Sequence, residues 1–258
     1  MEYCSLMSGS WGNCHYIRAG ETSILIDAGQ SGSRILTNMA SAGCSPAESL
    51  SAIVVTHAHR DHITGVGILA RRLGIEVYAT EGTWFEMGAI AGEIPEGLRK
   101  TIDCSEKWSI GSLSLEAFPT SHDALESVGY VVRNGENALG IATDCGVFTS
   151  RMERVLRDMR LLILEANHDL EMLRTGKYPG FLKKRIAGIE GHLSNVDAGQ
   201  ALLRMLGDKT ERVVLAHLSQ ENNTSDKALE TVGCALAQAG PALSVAPRCV
   251  PGEWIVMD

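Results

Sequence analysis

This chain of 258 residues contains no apolar run approaching the ~18 residues of a membrane-spanning helix. Its first residues, Met1-Glu2-Tyr3-Cys4-Ser5-Leu6-Met7, lack the basic start and apolar stretch of a secretory signal. Both absences point to a cytoplasmic protein with no membrane partner. Low-complexity tracts and linker-like segments are missing too, and with 45% hydrophobic and 21% charged residues the chain suits one compact domain over 1–258. Disulfides are not expected, because the seven cysteines are odd in number, scattered, and never form a Cys-x-x-Cys pair. They read as reduced core thiols, with Cys145 of interest only for the carboxylate that precedes it. The net charge of −8 argues against a broad basic surface. Two bound divalent cations would offset about four units of that charge locally.

Histidine is also scarce, with eight residues in all, yet three fall in Thr56-His57-Ala58-His59-Arg60-Asp61-His62, straight after the apolar run Ala52-Ile53-Val54-Val55. Side chains two apart on an extended segment point the same way. His57 and His59 can therefore converge on one cation while Asp61 and His62 turn toward a second. Neutral imidazole is the commonest metal ligand and carboxylate its usual companion, so a solvated polar turn explains this cluster poorly.

The surrounding pattern is strand, ligand turn, helix, strand. Ile63, Val66, Leu69, Ala70 and Leu73 fall at helical spacing, which predicts one helix stopped by Gly74 before a strand over 76–79. Earlier, glycine-punctuated β-like runs predict a hairpin over residues 3–27, and 33–42 suits a helix. Later apolar runs again end in polar groups. Residues 113–118 precede His122, 138–142 precede Asp144, 161–164 precede Glu165 and His168, and 212–216 precede His217. The repetition makes these residues candidate ligands. Gly191-His192 leads into a helix start where Ser194 and Asp197 are spaced like a capping box. A helix over 225–239 and short strands near 243–245 and 254–257 complete the chain.

Residues 174–185 reverse the chain's charge, with Arg174, Lys177, Lys183, Lys184 and Arg185, two aromatics and no acidic residue. The segment reads either as a solvated amphipathic helix or as a surface that neutralises nucleic-acid phosphates. The loop Ser8-Gly9-Ser10-Trp11-Gly12-Asn13 reads either as a tight turn or as a phosphate-binding nest offering Ser10 and Asn13. Asp27, ending an apolar strand beside glycine, is placed to orient a ligand histidine from behind.

The run His57, His59, Asp61, His62 resembles the His-x-His-x-Asp-His signature of the metallo-β-lactamase superfamily. Within it, the set Ser8-Gly9-Ser10-x-Gly12-Asn13, Ser121-His122-Asp123-Ala124, Glu165-Ala166-Asn167-His168-Asp169, Gly191-His192-Leu193-Ser194-Asn195 and His217-Leu218-Ser219-x-Glu221-Asn222-Asn223 resembles the WalJ/YycJ branch. The resemblance implies an α/β fold, the αββα sandwich of two mixed β-sheets flanked by helices. It also implies two divalent metal ions, zinc or manganese, and 5′-to-3′ exonuclease action on double-stranded DNA with a hydroxide between the metals as nucleophile. Carried over by motif, the first metal takes His57, His59 and His122, the second takes Asp61, His62 and His217, and Asp144 bridges them. Asp27 stands behind a ligand. His192 contacts the scissile phosphate or protonates the leaving oxygen, held by Glu165, with His168 competing for that role; Asp61 belongs to this catalytic set as well as to the ligands.

Two other functions fit parts of the pattern. One is a small-molecule hydrolase of the same fold, such as a cyclic phosphodiesterase, thioesterase or lactonase, against which the basic segment argues. The other is a non-catalytic metal-stabilised module, against which a dinuclear ligand set with open positions argues.

Overall fold

The computed structural model describes residues 1–104, 106–236 and 240–258. The first half of the chain gives β1 (Glu2–Met7), β2 (Cys14–Ala19), β3 (Thr22–Ile26), α1 (Gly32–Ala42), β4 (Ala52–Val54), α2 (Arg60–Ile63), α3 (Val66–Leu73), β5 (Glu76–Ala79), α4 (Glu81–Ala91) and β6 (Arg99–Thr101). The second half gives β7 (Lys107–Ile110), β8 (Leu113–Pro119), β9 (Val128–Asn134), β10 (Asn137–Ala142), α5 (Ser150–Val155), β11 (Leu161–Glu165), α6 (Leu170–Thr175), α7 (Gly180–Ile186), α8 (Asn195–Met205), β12 (Arg212–Ala216), α9 (Ser225–Leu236), β13 (Ala242–Val245) and β14 (Ile255–Val256).

Among the described residues these strands form two seven-stranded sheets, in the orders β14-β1-β2-β3-β4-β5-β6 and β13-β12-β11-β10-β9-β8-β7. Both sheets are mixed. In the first, β1, β2 and β3 pair antiparallel while β3 to β6 run parallel. In the second, β7 to β10 alternate while β10 to β13 run parallel. Two of the strands in the parallel parts, β3 and β11, are buried at every position, because helices cover one face and the other sheet covers the opposite one. Ile24, Ile26, Leu115, Tyr130, Ile141 and Ile163 fill the layer between the sheets. Ile35, Met39, Val66, Leu69 and Met87 pack α1, α3 and α4 onto the first sheet. Met152, Ala198, Leu202 and Val232 pack α5, α8 and α9 onto the second. Each of the isoleucine, leucine, valine and methionine side chains among them contributes about 1.5–3 kcal/mol on full burial. This is the expected αββα sandwich.

Local differences from the sequence reading have physical causes. β4 stops at Val54 and the backbone turns helical at Arg60, so Asp61 and His62 are offered by a helical turn and not by extended alternation. The single helix read over 63–73 is two, because the backbone N–H of Gly65 leaves the helical ladder to donate to Ala28 O at 2.7 Å. A Cβ at Gly65 would meet Gln30 O at 2.3 Å, so only glycine permits this approach. α4 gives no periodic signal, since Trp84, Phe85, Met87 and Ile90 spread round the helix. The basic segment is two short helices, α6 and α7, parted at residues 176–179. Ser194 caps α8 as the spacing predicts, accepting from Asp197 N at 3.1 Å. α9 is described as far as Leu236, and the last three residues of the helix read over 225–239 lie outside the described residues.

Candidate metal centre

Six polar side chains reach one end of the sandwich from the ends of strands. Asp27 follows β3, His57 follows β4, His122 follows β8, Asp144 follows β10, Glu165 ends β11 and His217 follows β12. Three of them, Asp27, Asp144 and His217, sit at φ of 61°, 56° and 55°, the left-handed region that residues with a β-carbon usually avoid. Each adopts it because the chain must leave its strand sharply while aiming the side chain inward. Such strained conformations gather at functional sites, where surrounding structure holds them. His59, at the N-cap of α2, and Asp61 and His62 within it complete the set. The loop 8–13 is locked onto this turn. Asn13 N donates to Asp61 O at 2.7 Å, and His217 N donates to Ser8 Oγ at 2.9 Å. A Cβ on Gly29 would lie 1.7 Å from Asp61 O, so only glycine lets the loop after β3 pass.

The donor atoms form overlapping groups, each within 4.8 Å: His57, His59 and His122; His57, His62 and Asp144; Asp61, His62 and His217; and Asp144, Glu165, His192 and His217. Asp144 joins them. Its Oδ1 lies 3.7 Å from His122 Nε2 and 3.4 Å from His217 Nδ1, and its Oδ2 lies 3.3 Å from His62 Nε2. His122 Nε2 lies 3.2 Å from His59 Nδ1, and Asp61 Oδ2 lies 3.4 Å from His217 Nε2.

This donor set fits divalent cations. His57 Nε2 and Asp144 Oδ2 are buried with no hydrogen-bond partner, an arrangement that costs free energy unless something between them accepts both lone pairs. Burial, with the charge of His62 adding to it, pushes His57 well below the usual histidine range and leaves that lone pair free. Burial alone would depress His62 as well, yet Asp144, Asp27 and Asp61 hold its pKa up to about 9. Burial opposes the charge of His217 in the same manner, and Asp144 above all raises its pKa in spite of that. Without ions, the carboxylates therefore draw protons onto the imidazoles, which is the demand for positive charge that metal ions meet.

A ring of polar groups fixes the imidazoles. Asp27 Oδ2 accepts from His62 Nδ1 at 2.7 Å and from Thr56 Oγ1 at 2.8 Å, while Thr56 N donates to Asp27 Oδ1 at 2.8 Å. His122 Nδ1 donates to Gly191 O at 3.0 Å. Glu165, fully buried, accepts four hydrogen bonds: from His192 Nδ1 at 2.8 Å and His217 Nδ1 at 3.0 Å on Oε1, and from Cys145 N at 3.0 Å and Leu193 N at 3.1 Å on Oε2. Burial opposes protonation of His192, but the charge and hydrogen bond of Glu165, helped by Asp144, raise its pKa.

The structure thus brings together His57, His59, Asp61, His62, His122, Asp144, Glu165, His192 and His217, with Asp27 behind His62. Other candidates fall elsewhere. His168 is buried, shares none of these groups, and leaves Nδ1 without a partner. Asn13 is buried inside the 8–13 loop, taking Gly9 N on Oδ1 at 2.8 Å with its amide 3.1 Å from His62 Nε2, so it braces the site and meets no solvent. Ser10 is exposed. Arg174 is tied to Glu171 at 2.6 Å, Lys183 donates to Arg174 O at 2.9 Å, and Lys177 and Lys184 are exposed. Arg185 alone of the five reaches the centre's rim, with Nε 2.6 Å from Asp123 Oδ2. Asp123 Oδ1 in turn lies 3.7 Å from His59 Nε2. Cys145 contributes its backbone N–H and keeps a buried thiol, while Arg60 is exposed. Thr56, Ser8, Asp123 and Asn167, which donates to His217 O at 2.9 Å, went unassigned in the sequence although all lie in its motifs. Their adjacency to ligands was the available signal.

The description β-lactamase superfamily domain fits residues 22–218. The exodeoxyribonuclease WalJ of Streptococcus pneumoniae serotype 2 (strain D39 / NCTC 7466) is 38% identical over 246 residues, covering 95% of this chain and 91% of that protein. The exodeoxyribonuclease YycJ of Bacillus anthracis is 37% identical over 240 residues, covering 93% and 90%. Among solved structures, the metallo-β-lactamase fold protein YhfI from Bacillus subtilis matches with a TM-score of 0.74 at 17% identity, over 98% of this chain and 100% of that one, a likeness of fold alone. The chain belongs to the β-lactamase superfamily and, within it, to the family of the exodeoxyribonucleases WalJ and YycJ.

Proposed function

We propose that this protein is a metal-dependent exodeoxyribonuclease that degrades double-stranded DNA from 5′ to 3′ and uses two divalent cations, zinc or manganese. The observation that carries the reading is Asp144, one buried carboxylate within reach of two imidazole-rich triads, in a chain whose relatives are exodeoxyribonucleases. His57, His59 and His122 would hold one cation, Asp61, His62 and His217 the other, and Asp144 both. Mixed nitrogen and oxygen donors suit zinc, and carboxylate suits manganese as well. Divalent ions supply Lewis acidity toward a phosphodiester and lower the pKa of water.

The chain's own groups do the rest. Asp27 and Glu165 hold Nδ1 of His62 and His217, which turns the Nε2 lone pairs inward. His192, whose Nδ1–H donates to Glu165, carries a second proton on Nε2 in its imidazolium form and gives it to the departing 3′-oxygen. Arg185, carried by Asp123 to the rim, takes a backbone phosphate together with exposed Lys184. Residues 1–258 act as one hydrolase domain. We read the protein as cytoplasmic, the compartment in which it would meet DNA. Among the described residues no helix is long and apolar enough to cross a membrane.

The test is an end-labelled duplex incubated with the protein and a panel of metals. Nucleotides released from the 5′ end, dependent on manganese or zinc, are the expected result. No nucleotide release beside brisk turnover of a cyclic phosphodiester, thioester or lactone would replace the reading with the small-molecule hydrolase.

A further inference from the structure

A cavity of about 350 Å³ lies behind the 8–13 loop, lined by Trp11, Gly12, Gln30, Ser31, Arg34 and Arg248 among others. Its wall is the loop whose other side secures the metal centre through Asn13 N to Asp61 O and Ser8 Oγ to His217 N. The cavity is therefore one loop away from the Asp61 and His217 side of the centre.

Its two arginines are unusual for a chain with 31 acidic and 23 basic residues. Among the described residues neither is paired with a carboxylate. Arg34 Nη2 donates to Cys249 O at 3.3 Å, and Arg248 Nη2 donates to Ser219 O at 2.8 Å and Asn223 O at 3.1 Å. Backbone carbonyls thus fix one nitrogen of each guanidinium and leave the remaining N–H groups and both full charges for something else. Trp11 stands at the lip, 64% exposed, anchored through Nε1 to Gln220 and through its carbonyl to Gln30. An aromatic face beside two guanidiniums lacking an acidic partner suits a phosphate that carries a stackable base.

The position matters as much as the chemistry. Arg185 lies on the His59 and His122 side of the centre, through Asp123, whereas Arg34 and Arg248 lie on the Asp61 and His217 side. A strand whose scissile phosphate sits at Asp144 meets cationic groups in both directions.

Resting on the exonuclease reading, we infer that the Arg34–Arg248 pocket is a phosphate subsite on the path of the substrate strand, holding a phosphate group on the far side of the 8–13 loop, with Trp11 against the adjoining base. The phosphate is either the 5′-terminal monoester or a phosphodiester within the strand. Both present the same oxyanion to the same guanidiniums.

Arg34 is the residue to change, because Arg248 also braces the loop after His217 while Arg34 is exposed. Binding of full-length, metal-loaded protein is read by fluorescence anisotropy over a salt series. The probes are 5′-phosphorylated and 5′-hydroxyl duplexes made cleavage-resistant by terminal phosphorothioate linkages. Arg34→Gln is expected to weaken binding about tenfold and to lower the slope of log K against log salt by about one unit, whereas Arg34→Lys keeps the slope. A loss confined to the phosphorylated duplex identifies the terminal phosphate, and a loss shared by both duplexes identifies an internal phosphodiester. Unchanged affinity and slope in Arg34→Gln, or no binding of either duplex by the wild type, would overturn the inference. Because binding is read, failure of the exonuclease reading shows separately, as a wild type that cuts no unmodified duplex.

Discussion

Replacing Glu165 by glutamine tests how the centre is held. All four of its partners donate: two imidazole Nδ1–H groups to Oε1 and two backbone N–H groups to Oε2. A carboxylate satisfies them because it only accepts. An amide must turn its NH2 toward one pair, so Glu165→Gln leaves two buried donors facing a donor in either orientation. At about 1–3 kcal/mol for each orphaned group, the loss is about 2–6 kcal/mol. For a domain of this size that lowers Tm on the order of 10 °C. The acid side of the stability profile changes too. Burial favours protonation of Glu165, yet His192 and His217 hold it well below its unfolded value of 4.5. Its contribution is thus present above about pH 4.5 and lost as pH falls toward the depressed value, and glutamine removes it throughout. Catalysis offers an independent readout. His192 must be protonated to act as an acid, so activity declines as pH rises through its pKa, which Glu165 raises against burial. The variant's descending limb should move to lower pH, and metal affinity should fall about 10–100-fold as His217 loses its orienting carboxylate. Calorimetry, a pH–rate profile and metal analysis decide together. A Tm within about 1 °C of wild type with an unmoved limb would refute the account.

Three further outcomes follow from the same geometry. Asp144→Asn keeps a side chain that tolerates the left-handed backbone while removing the charge, so we expect activity to fall at least ~100-fold with metal content reduced and circular dichroism unchanged; full metal occupancy at the wild-type rate would contradict the shared carboxylate. Because His62 is raised from 6.5 to about 9 in the ion-free protein, its contribution to stability is complete below pH 6.5 and lost as pH rises through about 9, while metal uptake strengthens over the same interval. A chelator-treated sample whose Tm stays flat across that range would count against the buried Asp27–His62 pair. Neutralising Lys183, Lys184 and Arg185 together should flatten the salt dependence of DNA binding by about 0.9 for every phosphate these side chains neutralise, whereas Arg174→Gln should change little because Glu171 already occupies that guanidinium; equal effects from both would remove α7 from the DNA surface.

The centre was more legible in the sequence than the supports around it. His57, His59, Asp61 and His62 announce themselves by density, and His122, Asp144 and His217 by following apolar strands. Their supports are non-local. Glu165 serves His217, 52 residues away, as well as the His192 that the motifs pair with it, and Asp27, read as standing behind a ligand histidine, serves His62, 35 residues away. Asn13 looked like a turn residue open to substrate because its composition is that of a turn. Burial under the Asp61 segment is a tertiary fact. The helix α4 escaped detection because it is apolar on several sides, β6 because Arg99-Lys100-Thr101 is polar throughout, and β7 because its alternation lasts only four residues.

The left-handed backbone at Asp27, Asp144 and His217 has a consequence for anyone evolving this protein. Each β-carbon there costs about 1 kcal/mol that glycine would not. The hydrogen bonds outweigh that cost, because Asp27 alone accepts three and each buried donor left without a partner costs about 1–3 kcal/mol. Glycine at position 27 would relieve the backbone and still destabilise the protein, so selection for heat resistance alone retains this support of the centre.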